Sequence, residues 1–111
     1  MNAKDVKPNN WFWDKNYPIL ILYEDYEEEN YSIIWGKYKG VKALGVRWNG
    51  KAKERGFPGQ GAYPTWYVEP DFIAIHILQQ ILTVANDNNE TKYLANIKIA
   101  LKELKNKMTE E

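Results

Sequence analysis

The chain has 111 residues, of which 44% are hydrophobic, 14% aromatic and 27% charged, ordinary globular values that exclude a disordered chain or a collagen-like repeat. Its 15 basic and 15 acidic residues cancel, which argues against a chain built chiefly as a polycation for nucleic acid or anionic lipid. Cysteine is absent, so disulfides, thiol nucleophiles and Cys-based metal centres are excluded.

The length predicts a single domain over residues 1–111. Residues 1–18 contain Pro8, Asn9, Asn10 and Pro18 around Trp11, Phe12 and Trp13. They read as an irregular arm whose tryptophans are pinned onto a core. No apolar signal-peptide core follows the first residues, and the longest apolar run, 19–23, falls far short of the ~20 residues a membrane helix needs. A cytoplasmic protein with no membrane partner is expected.

A sheet region is expected over 19–69. The stretch YPILILY at 17–23 is apolar at both alternating sets of positions, which predicts a strand buried on both sides or lying at a dimer seam. Five acids follow within 24–29 (Glu24, Asp25, Glu27, Glu28, Glu29), and seven bases lie within 37–55 (Lys37, Lys39, Lys42, Arg47, Lys51, Lys53, Arg55). The neutral total therefore hides an acidic turn and a basic strand-and-loop region. The acidic turn lacks the glycine and the alternation of a calcium loop and reads as a solvated turn.

Residues 31–48 read YSIIWGKY, KG, VKALGVRW. Lys39-Gly40 predicts a two-residue hairpin turn, because glycine tolerates positive φ. Tyr38 then opposes Val41, and the register follows: Trp35 with Leu44, Ile33 with Val46 and Tyr31 with Trp48 share one face. The other face receives Ile34 with Gly45, Gly36 with Ala43 and Ser32 with Arg47. One face is large and aromatic. The other is nearly bare backbone, and Ile34, Gly36, Ala43 and Gly45 form on it a smooth stripe that requires a cover or a partner.

Residues 49–64 form a Gly/Pro-rich loop, a length that within a compact domain often carries function. Its Gly56–Gly61 run lacks the Gly-Lys-Ser/Thr of a phosphate cradle and is followed by a strand, TWYV at 65–68, rather than a helix. As a recognition loop it offers Phe57, Tyr63 and the neighbouring Trp66 for stacking, with Lys51, Lys53 and Arg55 supplying charge. Arg47 and Asn49 extend this set toward a nucleic-acid interface, since phosphate contacts and base stacking use these residue types.

A helical hairpin is expected over 70–108. Pro70 suits a first helical position and Asp71 the positive helix start. Apolar residues over 72–85 cover about 200° of the wheel, which predicts a largely buried helix with His76, Gln79, Gln80 and Thr83 on its polar strip. The run Asn86-Asp87-Asn88-Asn89 ends it, and Asp87 with Glu90 resembles a capping box. In the last helix Leu94, Ile97, Leu101, Leu104 and Met108 form a heptad-like seam for the preceding helix or for a second copy.

His76 is the sole histidine and Ser32 the sole serine, and neither sits in a catalytic motif. No catalytic residue, metal ligand or cofactor is assigned. The segments WGKYKGVKALGVRWNG at 35–50, GFP at 56–58 and PTWYVEP at 64–70 resemble small bacterial accessory proteins of the kind carried on mobile elements. That resemblance implies a bacterial, cytosolic, accessory role.

The expected fold is α+β: a small antiparallel sheet of three or four strands with a C-terminal two-helix hairpin on its aromatic face. The expected function is a non-catalytic interaction module that binds a protein partner or itself, as a homodimer, through the bare sheet face and the 49–64 loop. Nucleic-acid binding by the basic 37–55 region, and a small enzyme with an Arg/Tyr/carboxylate site, are the alternatives.

Overall fold

A computed structural model describes residues 13–50, 56–60 and 63–110 of the chain. Strand β1 (Leu20–Asp25), strand β2 (Tyr31–Tyr38), strand β3 (Val41–Trp48) and strand β6 (Tyr67–Glu69) form an antiparallel sheet in the order β1-β2-β3-β6. A minor two-stranded piece, β4 (Gly59–Gln60) with β5 (Tyr63–Pro64), lies within the loop. Helices α1 (Asp71–Asp87) and α2 (Leu94–Glu110) complete the α+β fold. Neither is long and apolar enough to cross a membrane.

The β2–β3 hairpin has the expected register along its whole length, from Tyr38↔Val41 to Tyr31↔Trp48. Lys39 and Gly40 both have positive φ, 50° and 80°, the signature of the type I′ turn whose twist matches paired strands. On the aromatic face Ile33, Trp35, Leu44 and Val46 are buried together with Ala74, Leu78, Ile97, Ala100, Leu101 and Leu104 of the helices. Each fully buried large side chain here contributes about 1.5–3 kcal/mol from removal of apolar surface.

The expectation of a strand buried on both sides at 17–23 is corrected. The strand runs from Leu20 to Asp25, pairs only with β2 and is mostly half-buried. Its alternation fails at a bulge: Ile21 pairs Ile34 and Tyr23 pairs Ile33, so Leu22 is the extra residue. Leu22 and Tyr23 consequently both join the helix-side cluster. At the bulge the Ile21 carbonyl accepts a hydrogen bond from Asn96 Nδ2 at 3.0 Å, tying α2 to the strand.

The bare stripe is also corrected. Ile34, Gly36, Ala43 and Gly45 are buried within the chain. Trp13 lies across them, its backbone bridged to Tyr38 and its ring edge-on to that tyrosine, and Trp66 and Ile19 complete the cluster. A Cβ on Gly36 would stand 2.9 Å from the Trp13 ring, and one on Gly45 3.2 Å, so the two glycines make room for the indole. The expected pinning of the arm is thus seen at Trp13; Trp11 and Phe12 lie outside the described residues.

Helix α1 is less buried than its composition predicts. Ala74, Leu78 and Ala85 are buried, whereas Phe72 is 68% exposed and Ile73 and Val84 also face outward. His76 is exposed, and its side chain makes no hydrogen bond among the described residues. Pro70 is the N-cap rather than the first helical residue. The capping-box expectation at Asp87 and Glu90 gives way to a Schellman ending. Asn89 adopts φ 55°, Glu90 N–H donates to the Ala85 carbonyl and Asn89 N–H to the Asn86 carbonyl. In α2 the seam residues Ile97, Leu101 and Leu104 are buried inside the molecule, against α1 and the sheet.

Candidate binding cleft

The sheet's last two rows on the helix side build the site. Across the strands Asp25 pairs Tyr31, Tyr31 pairs Trp48 and Trp48 is bridged to Phe57. The row behind it runs Tyr23, Ile33, Val46, Tyr67. The helices cover the middle of this face and leave its end open. Trp48 is therefore 50% exposed, Phe57 56% and Tyr67 48%. Trp48 stands edge-on to Tyr31 at 4.6 Å between ring centroids, and Phe57 is tilted onto Tyr67 at 5.8 Å. The backbone bridge between Trp48 and Phe57 sets these two ring pairs side by side, as an aromatic ledge across β2, β3, the loop and β6.

Beside the ledge opens a cleft of about 1000 Å³. Leu22, Ile33, Ile81, Ala85 and Ile97 give it an apolar floor, and Tyr23, Tyr31, Trp48 and Tyr93 give it aromatic walls. The acidic turn after β1 and the α1–α2 connection bring Glu24, Asp25, Glu29 and Glu90 to it, against Lys92 alone among its basic lining residues.

The turn holds these acids by its own chemistry. The Asp25 carboxylate accepts the backbone N–H groups of Glu27 at 2.9 Å and Glu29 at 2.8 Å, and these bonds hold its carboxyl below the usual aspartate range. Glu24 accepts the hydroxyls of Tyr93 (2.7 Å) and Tyr26. Burial, then the fields of Asp25, Glu29, Glu90 and Glu28, raise the Tyr23 phenol above its ordinary value. Burial and the bond to Glu24 raise that of Tyr93 as well. The tyrosines of the cleft are neutral at physiological pH.

The sequence-assigned binding residues separate. Phe57 lies on the ledge. Arg47 is 0% exposed on the opposite face, where its Nη1 donates to the Thr65 carbonyl at 2.7 Å and its guanidinium stands 5.8 Å over the Trp66 ring. Its pairing with Ser32 sets it on that face, and burial lowers its guanidinium to about 10, which leaves it cationic at neutral pH. Asn49 is also buried. Its Oδ1 accepts from Ser32 Oγ at 2.8 Å and its Nδ2 donates to the Asp25 carbonyl at 3.1 Å, bracing β1, β2 and β3 at one end. Trp66 is buried with Trp13 and Ile34. These three residues are thus structural, because the loop folds back on β3: Trp48 and Phe57 exchange backbone hydrogen bonds of 2.6 and 2.8 Å. Lys51, Lys53 and Arg55 lie outside the described residues, as does the side chain of Tyr63.

Sequence reasoning placed Trp48 on the core face and missed its exposure, along with the cleft itself. The available signal was the hairpin register, which puts Tyr31 and Trp48 at the far end from the turn, next to the acidic residues. Among the described residues no group of three or more His, Asp or Glu is arranged to hold a metal ion.

No family model, curated protein or solved structure matches the chain.

Proposed function

We propose that the protein is a cytoplasmic, non-catalytic interaction module that binds a protein partner through the ledge of Trp48, Phe57 and Tyr67 and the cleft beside it. The observation that carries this is the uncovered aromatic end of the helix-side face, where Trp48, packed on Tyr31, and the paired rings of Phe57 and Tyr67 each stay about half exposed. Tryptophan and tyrosine are the side chains that dominate binding at protein interfaces, since they desolvate large area with little rotamer loss. The bare sheet face takes no part, because Trp13 already fills it. Arg47 is likewise unsuited to phosphate contact at 0% exposure.

Selection of displayed random peptides on the purified chain tests this. Enrichment of a consensus is expected, with affinity falling about tenfold or more on Phe57→Ser, a change at an exposed site that leaves the core intact. No enrichment, or equal binding by the variant, overturns the proposal. Light scattering runs alongside: a dimer that dissociates on Phe57→Ser would make a second copy the partner.

A further inference from the structure

The cleft's charge and its aromatic walls together specify a ligand chemistry. Its acids come from two separate segments, the turn after β1 and the α1–α2 connection. Their convergence is visible at Tyr23, whose phenol feels Asp25, Glu29, Glu90 and Glu28. Glu29 and Glu90 are exposed, and neither makes an ion pair or side-chain hydrogen bond among the described residues. One cation already lies over a wall of the cleft: Nζ of the adjacent Lys92 stands 5.2 Å from the centroid of the Tyr93 ring. A neutral phenol or indole face attracts a cation through its quadrupole, and a guanidinium adds planar stacking.

We infer that the cleft receives a cationic side chain, an arginine or lysine of the partner, with its charge among Asp25, Glu29 and Glu90 and its stem or plane against Tyr23, Tyr31 and Trp48. This rests on the binding-module reading and names the chemistry of its partner. The same acids repel a phosphate backbone, which favours a basic protein segment over a nucleic acid. The flanking apolar residue of that segment lies on Phe57 and Tyr67.

The test is an NMR titration with N-acetyl-arginine methylamide, and with its neutral citrulline analogue as control. Saturable shifts are expected at the Trp48 indole N–H and at the amides of Tyr23, Tyr31 and Tyr93 with the arginine probe, weakening as salt is added. The citrulline probe should leave them nearly unmoved. The doubly substituted Glu29→Gln, Glu90→Gln chain, altered only at exposed positions, should bind the arginine probe roughly five- to tenfold more weakly. Equal shifts with citrulline, no shifts with arginine, or unchanged affinity in the double variant overturns the inference. If the arginine probe fails while a selected peptide still depends on Phe57, the module stands and the cation site falls. If the probe binds but no peptide is ever selected, the cleft takes a free small cation and the assignment to a protein partner is overturned.

Discussion

Arg47 stands opposite Ser32 in the hairpin, and that pairing sets it on the sheet face shared with Ile34 and Gly45. The side chain packs its stem in the sheet and spends its charge on the Thr65 carbonyl and the Trp66 ring. Gly56 approaches from above: its φ is 76°, and a Cβ there would stand 2.1 Å from the Trp48 carbonyl oxygen and 2.6 Å from the Arg47 Nη2. Replacing Arg47 with Ala therefore removes packing and strips the Thr65 carbonyl of its donor, at a cost of ~2–3 kcal/mol. Urea denaturation should show this loss, while Arg47→Lys should recover little because an ammonium lacks the planar fork. A change in ligand binding without loss of stability would instead return Arg47 to the surface. From the sequence, Arg47 and Asn49 looked like surface binders because basic and amide side chains beside a loop normally are. What buried them was the return of the loop onto β3, a long-range contact that no local pattern announces.

At the level of elements, the hairpin carries a correctable imperfection. The type I′ turn places Lys39 at φ 50°, a conformation that asparagine or glycine adopts far more readily. Lys39→Asn should stabilise the fold by ~0.5–1 kcal/mol, seen as a higher denaturant midpoint with an unchanged slope. The register of β2 and β3 was legible because large and small residues sort cleanly when Lys39-Gly40 turns. The first strand was misplaced because a bulge at Leu22 breaks period two, so that consecutive residues face the same cluster. The start of α2, at Leu94, was misplaced because the four-residue polar run offers several chemically similar caps. The backbone settled on Asn89 in the left-handed conformation instead of on a side-chain box. The aromatic ledge went unread for a geometric reason. It consists of core-type residues at the end of the sheet, and where two helices stop covering a face depends on their crossing, which no residue pattern states.

Across the whole molecule, one carboxylate of α2 gathers three groups from the chain it packs on. Glu103 accepts hydrogen bonds from Tyr17 OH and, at 2.8 Å, from Trp35 Nε1, and pairs with Lys42 at 3.2 Å. Burial pushes its carboxyl up, but the bonds from Tyr17, Trp35 and Lys42 outweigh this and hold it below the ordinary glutamate value. A lowered folded-state value means stability that is complete above the unfolded carboxylate range, about 4.3, and lost as pH falls through the folded value. Tyr17 has the opposite sign: burial and the Glu103 contact push it up to about 12, so its contribution is complete below pH 10 and fades as pH rises toward 12. Thermal denaturation across pH should show both losses. Glu103→Gln should flatten the acid limb and cost ~1–2 kcal/mol near neutrality.

Trp13 sits on two glycines as a lid rather than as one residue in a crowd. Trp66 and Ile19 share the cover over Ile34, but the glycines are matched to the indole. A protease cut in the stretch between the indole and β1 would free the arm to leave, and its departure would bare a flat, nearly featureless strip of backbone. Such strips adhere to one another. Clipped protein should therefore turn cloudy on standing while the intact chain stays clear, a difference that a simple turbidity trace records.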